Sequence, residues 1–264
     1  MKLQLSALML LIPLTVIFAN CTKSSNEDEI EEKENYEVVQ AGVVKGRMVD
    51  ARGNAIAGAK VYAGHTTYFN TNVVAVTDNN GYYQMDIKNP GGTWTVHGQI
   101  QRQYNGQTYT FYVYADNADP VSGTVGAIRK LTWKLSGAIP GLSNSKYGAK
   151  VAYYDNSPIF IRDEEIEFTL IPEGPLVDGS TGQTITGFAT GRFSMIGTAV
   201  GSGLDDVPLG RYQLSARYIP KNGGAPKKLS VRVRDEGNYT DKVTINFEEI
   251  SLGLKLVEVE TKLL

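Results

Sequence analysis

The chain has 264 residues, with 26 basic, 28 acidic and two histidine residues, so its net charge is only −2 at neutral pH. A near-neutral chain with no basic stripe lacks the electrostatic footprint of a nucleic-acid-binding protein, and no nucleic-acid partner is expected. One cysteine, Cys21, excludes a disulfide framework, and two histidines without a nearby Glu exclude the clustered ligands of a zinc peptidase.

From the N-terminus, Lys2 precedes an almost uncharged apolar run over 3–19, and Cys21 follows directly after Ala19-Asn20. A basic start, an apolar stretch and small or polar residues before a processing point are the parts of a secretory signal. With a cysteine at that point, residues 1–20 resemble a bacterial lipoprotein signal peptide. Ala19 suits that family's cleavage box, whereas Phe18 and Asn20 depart from its usual Leu and Gly or Ala. The resemblance implies that Cys21 is lipidated and attaches the protein to a membrane. Several acyl chains on one residue anchor firmly, because each buried methylene contributes about 0.8 kcal/mol. Two other readings of the same run stay open. One is a secreted protein cut near Ala19 with a free thiol; the other is an uncleaved N-terminal helix, the run being near the lower length limit for spanning.

Residues 22–42 hold seven acidic residues (Glu27, Asp28, Glu29, Glu31, Glu32, Glu34 and Glu37) against Lys23 and Lys33. A like-charge block with few apolar residues cannot bury enough surface to fold, so 21–42 reads as a lipidated cysteine followed by a disordered acidic linker. Ser24-Ser25-Asn26-Glu27-Asp28-Glu29 resembles the acidic signal that sends Bacteroidetes lipoproteins to the outer cell face. That resemblance implies a lipid-anchored, surface-exposed position on the bacterial outer membrane.

Beyond the linker, short alternating runs rich in Val, Thr and Tyr are broken by turn residues, and no window carries a helical apolar stripe. Strands are expected at 43–49, 59–63, 73–77, 82–87, 93–101, 108–114 and 128–135. A second group follows at 149–154, 165–171, 192–195, 212–218, 228–234, 242–247 and 254–259. Many short strands at regular spacing predict an all-β protein of two β-sandwich domains. The boundary falls at 136–145, where Gly137, Pro140, Gly141 and Asn144 interrupt two strand regions, giving sandwiches over 43–136 and 137–264. A single large sandwich remains the alternative.

Alternation sorts the aromatic residues. Trp94, Val96, Gly98 and Ile100 share one face of their strand, Trp133 lies between Leu131 and Leu135, and Tyr83 is in phase with Met85 and Ile87. Both tryptophans are therefore core residues. Tyr112 and Tyr114 share a face with Thr108 and Thr110, and Tyr62 falls with Lys60. With Tyr68, Phe69 and Tyr104 in loops, these tyrosines are the exposed ones. Tyr112, Tyr114, Tyr104 and Tyr68 are the residues expected to contact a ligand.

The segment Val44-Lys-Gly46-Arg-Met48-Val-Asp50-Ala-Arg-Gly53-Asn-Ala-Ile56-Ala-Gly58-Ala59-Lys-Val61 reads as strand, turn and strand. Thr77-Asp78-Asn-Asn-Gly81-Tyr-Tyr83 is a second hairpin, in which Asp78 bonds the turn backbone and Gly81 takes positive φ. Together they resemble the carboxypeptidase regulatory-like domain, with its G-x-P-hydrophobic-x-G-A-x-V turn followed by T-D-x-x-G-x-Y. Ala55 stands where that family's turn proline is usual. The resemblance covers about residues 43–135 and implies a transthyretin-like sandwich. It imports no peptidase activity, because the domain is an accessory one. In the second half, the segments from Phe168 to Gly182 and from Asp206 to Tyr212 look like those of bacterial proteins in which such a domain precedes a second sandwich of unknown function.

No catalytic set is expected. No G-x-S-x-G elbow is present. Asp163-Glu164-Glu165 and Asp205-Asp206 are carboxylate runs beside turns, which glycoside hydrolysis would need paired across a cleft. Asp78-Asn79-Asn80-Gly81 begins like a calcium loop, but the ligand pattern stops at Gly81. Neither metal nor cofactor is expected. The leading reading is a non-catalytic, lipid-anchored surface protein acting as a binding or spacer module for a glycan, a peptide or an envelope protein partner. A structural component of an envelope complex or pilus is the alternative, and a carboxylate-dependent hydrolase comes last.

Overall fold

The computed structural model describes residues 36–195, 200–251 and 253–263. Residues 1–35, and with them the signal peptide, Cys21 and most of the linker, lie outside the described residues. Residues 36–42, which the charge pattern gives to the linker, lie against folded structure instead. The Tyr36 ring stacks on Tyr82 at 4.4 Å, and the Gly42 carbonyl accepts the Ile87 N–H at 2.9 Å.

Among the described residues the helical content is one 3₁₀ turn, Asp163–Glu165; all else regular is strand. The first half holds β1 (Val43–Asp50), β2 (Lys60–His65), β3 (Asn72–Val76), β4 (Tyr82–Asp86), β5 (Thr93–Tyr104), β6 (Gln107–Tyr114), β7 (Val121–Ser122), β8 (Ala127–Ile128) and β9 (Leu131–Trp133). One sheet runs β4-β1-β8, with β9 also parallel to β1; the other runs β3-β2-β5-β6, with β7 beside β5. Their facing sides bury Met48, Tyr83 and Met85 against Val61, Trp94 and Val113, as the alternation predicts. The sheets meet closely at Gly98, where a Cβ would lie 2.1 Å from the Met48 methyl.

The two hairpins singled out in the sequence show why their residue types are needed. Asp50 accepts the N–H groups of Arg52 and Asn54, at 2.8 and 2.9 Å, and so closes the first turn. Thr77 is buried; its hydroxyl donates to the Ile56 carbonyl at 2.7 Å and accepts the Ala59 N–H at 2.9 Å, tying the second hairpin to the first. Asp78 accepts the N–H groups of Asn80 and Tyr82, as in an Asx-turn. Gly81 has φ +79°, and a Cβ there would sit 2.4 Å from the Met48 carbonyl oxygen. Only glycine meets both demands.

The second half holds β10 (Ala149–Asp155), β11 (Ile166–Pro172), β12 (Ile185–Phe188), β13 (Gly191–Ser194), β14 (Val200–Val207), β15 (Tyr212–Tyr218), β16 (Lys227–Val233), β17 (Val243–Ile245), β18 (Glu248–Ser251) and β19 (Leu254–Lys262). Its strands follow the order β12-β11-β15-β16-β19-β10-β14-β13. β16 turns a corner: Leu229 pairs with β15, while Ser230 onward pairs with β19. The two ends of the order, β12 and β13, are consecutive in the chain, so the sheet curls back toward itself around Phe168, Leu170, Leu214, Val231 and Val259.

Each run expected as a strand contains one, but β7, β12, β14 and β18 have no counterpart in the sequence reading. β14 is the instructive case. Val200-Gly-Ser-Gly-Leu-Asp-Asp-Val207 has turn-like composition, yet it pairs with both β10 and β13. Gly203 is required there: its φ is +148°, and a Cβ would lie 1.8 Å from the Val151 carbonyl oxygen. The close approach of two backbones selected the residues that local propensity reads as a turn.

Buried apolar residues of the two halves form one contiguous cluster, and the chain from Tyr36 onward is one compact unit. The contact between halves centres on the edge of β6. Thr110 donates its N–H to Glu249 at 2.8 Å, and its carbonyl accepts from Lys255 Nζ at 2.6 Å. Two side chains of the second half thus occupy the Thr110 hydrogen-bonding groups that a further strand would otherwise take.

Candidate functional site

The outer side of the β3-β2-β5-β6 sheet, turned away from the core, carries an unusual set of side chains. The pairing register lines up Val74, Tyr62, His97 and Tyr114 in one row across four strands. The next row is Val76, Lys60, Gln99 and Tyr112, and on the other side lie Asn72, Gly64 and Thr95. β5 continues with Gln101 and Gln103 opposite Thr110 and Thr108. Of all these outward positions, only Lys60 bears a formal charge, although 20% of the whole chain is charged. Apart from Lys60 and the edge residues Val74 and Val76, the face is aromatic, amide and hydroxyl.

Its aromatic groups touch one another. Tyr62 stacks on His97 at 5.2 Å with the planes only 11° apart, and Tyr112 lies 6.0 Å from His97. Tyr62 donates its hydroxyl to Gln99 at 3.2 Å. Tyr147 packs on Tyr114 at 6.1 Å and closes one end of the row. Burial among these neighbours lowers the His97 pKa below the usual histidine value of 6.5, so the ring is neutral at pH 7. With the imidazole neutral, Lys60 remains the one formal charge among these outward positions. A hollow of about 250 Å³ continues it past Lys60, Gln99 and Gln101 to the backbone of 57–59.

Tyr112 and Tyr114 do lie together on this face, but half-buried by their neighbours rather than freely exposed. Tyr68 is elsewhere, in the β2–β3 turn; it is 54% exposed, with its ring 4.5 Å from His65, and the adjacent Phe69 is 99% exposed. Tyr104 is a correction to the loop placement. It is the last residue of β5; its hydroxyl donates to the Pro175 carbonyl at 2.8 Å and accepts the Arg211 N–H at 3.0 Å, so its polar end fastens the second half. Trp94 and Trp133 are core residues, 0% and 5% exposed. The sequence reading placed Tyr62 outward but did not bring it, or His97, to Tyr112 and Tyr114. Alternation gives each strand's face; only register gives the row.

The carboxylates considered for hydrolysis are engaged in structure. Asp163 accepts from Tyr153 and Arg192, Glu164 pairs with Lys221 at 3.3 Å, and Glu165 accepts the Lys221 N–H at 3.0 Å. Asp205 pairs with Lys146 and Lys150, and Asp206 accepts the N–H groups of Gly137 and Gly148. Asp206 thereby pins the 136–145 connection to the second half. Among the described residues, no three His, Cys, Asp or Glu side chains converge on a point that could hold a metal. Larger clefts lie against the second half, the first of them reaching Gln107 of β6. One of about 660 Å³ is lined by mixed charges including Arg234, Asp235, Glu236 and Glu258, and another of about 550 Å³ lies between 153–163 and Val200.

No protein-family model matches the chain, and no curated protein matches it. Similar solved structures are distant. A Pseudomonas aeruginosa protein described as a candidate carbohydrate-binding protein is 17% identical, over 37% of this chain and 95% of that one, with a TM-score of 0.20. The Bacillus anthracis TIE protein is 15% identical over 84% of this chain, which spans only 34% of its length, with a TM-score of 0.31. A Bacteroides ovatus protein described as a candidate adhesin is 11% identical over 91% of both chains, with a TM-score of 0.26.

Proposed function

We propose that this protein is a non-catalytic, lipid-anchored module of the bacterial outer surface that holds an uncharged glycan chain on the outer face of the β3-β2-β5-β6 sheet. The observation that carries the reading is the composition of that face. Sugar rings offer apolar faces that stack on aromatic rings and hydroxyls that bond to amides and other hydroxyls. A neutral ligand gives no return for desolvating a charge, so a face built for one keeps charge sparse, and here Lys60 alone carries it. Tyr62, His97, Tyr112 and Tyr114 supply the rings, and Gln99, Gln101 and Thr95 supply the polar groups. Lipidation at Cys21 and the acidic segment after it would hold this face away from the membrane. The first half is proposed to be the carboxypeptidase regulatory-like, transthyretin-like domain (43–136), followed by a second sandwich (137–264).

Binding to immobilised neutral polysaccharides and to anionic ones tests the reading. Retention on a neutral glycan, lost in the Tyr62→Ala, Tyr112→Ala double variant with unfolding temperature preserved, is the expected result. Preference for the anionic polymers, or unchanged retention in the variant, refutes it. A structural role in an envelope assembly is the second reading, and the open edge of β3 is the observation that favours it.

A further inference from the structure

The two edges of the outer sheet are treated differently. At the β6 edge Glu249 and Lys255 take both backbone groups of the central Thr110, whereas among the described residues β3 pairs only with β2. In the β2–β3 ladder, His65 bonds Thr71 and Thr77 bonds Ala59, so the alternation of an antiparallel pair turns the N–H and C=O groups of Asn72, Val74 and Val76 away from β2. Soluble proteins blunt such an edge with a charge, a proline or a bulge. The strand Asn72-Val73-Val74-Ala75-Val76 has none of these, and Val74 and Val76 are 51% and 60% exposed.

We propose that β3 is a self-association edge, on which a second copy of this chain pairs antiparallel about Val74. The strand is self-complementary in that register. Val74 meets Val74 of the other copy, Asn72 meets Val76, and the outward-turned backbone groups of all three residues exchange hydrogen bonds. Charge also favours a second copy. No charged side chain lies on either edge, and Lys60, beside Val76, falls in line with Asn72 and Gly64 of the other copy, so like charges do not meet. Pairing joins the two outer faces into one sheet, with the two Val74-Tyr62-His97 rows running on across the junction. One strand pair buries less than the roughly 1,200 Å² of a standard interface, so the association is weak in dilute solution and depends on local concentration.

Cysteine cross-linking in the full-length chain reads this register, with the wild type giving the background from Cys21. In the proposed pair the Val74 Cα atoms are about 5.5 Å apart, within disulfide range, while the two Val76 positions are separated by about 14 Å along the strands. Under mild oxidation, Val74→Cys is expected to form a covalent dimer and Val76→Cys is not, although Val76 is the more exposed. An equal mixture of Asn72→Cys and Val76→Cys chains is expected to cross-link as the off-axis pair. Cross-linking of Val76→Cys as fast as Val74→Cys means random collision and overturns the proposal. So does failure of the folded Val74→Cys protein to cross-link at all.

Discussion

Replacing Lys255 by Met should remove a rise of stability with pH that is expected of the wild-type protein between pH 7.5 and 9. Lys255 is 5% exposed; its ammonium sits 2.6 Å from the Thr110 carbonyl, 3.8 Å from Glu249 and 4.5 Å over the Phe111 ring. Burial lowers its pKa from 10.5 to about 8, with Glu249 offsetting part of the effect. Above pH 8 the folded protein releases this proton while the unfolded chain keeps it until about 10.4. Stability therefore rises with pH in that window, by at most about 1.4 kcal/mol per pH unit, and is lost as pH falls through 8. From pH 7.5 to 9 the gain is about 1.2 kcal/mol. Above pH 9 the tyrosines of the unfolded chain begin to ionise while the buried ones, Tyr83, Tyr109, Tyr153 and Tyr212 among them, hold their protons, which opposes the gain and closes the window there. Urea unfolding followed by the fluorescence of Trp94 and Trp133, both buried in the first half, reads the change at pH 7.5, 8.25 and 9. Lys255→Met leaves the Thr110 carbonyl unpaired, at a cost of about 1–3 kcal/mol, but its stability should be flat across the same window. A variant as steep as the wild type would refute the assignment of the slope to this lysine.

Three further outcomes follow from particular contacts. Glu260 accepts from Arg232 Nε at 2.7 Å, from Tyr239, and from Asn156 at 3.0 Å; the Arg232 bond leads in lowering its pKa to about 2. Its contribution is present above pH 4.5 and lost as pH falls toward 2. Glu260→Gln should cost about 1.5–3 kcal/mol at pH 7 in urea titrations and shrink that acid sensitivity. Gly203→Ala should destabilise by about 3 kcal/mol or more in thermal unfolding, because the added Cβ meets the Val151 carbonyl at 1.8 Å. Tyr104→Phe removes two hydrogen bonds between the halves; a loss of about 1–3 kcal/mol is expected, with glycan retention unchanged.

Local chemistry made much of the fold legible. Each expected strand run contains a strand, and Trp94, Trp133, Tyr83, Met85 and Ile87 are buried where alternation put them, because a strand with one wet face must write its burial with period two. Two of the strands that escaped notice did so for physical reasons. β14 carries glycines because another backbone lies against it, and β7 is a two-residue strand, too short for any pattern to show. Tyr104 was misplaced because β5 runs on through residues of mixed polarity to a turn at Asn105-Gly106.

The sequence by itself determined the all-β class, the two hairpins built on Asp50, Thr77 and Asp78, and the side of its strand on which each aromatic residue stands. These are properties of neighbours along the chain: turn residues, φ preferences and alternation. Only the tertiary structure decided that Tyr62, His97 and Tyr114 form a single row, that Thr110 is capped from the second half, and that β3 is left open. Those depend on register and strand order, which contacts between distant segments set through burial and which no local pattern records.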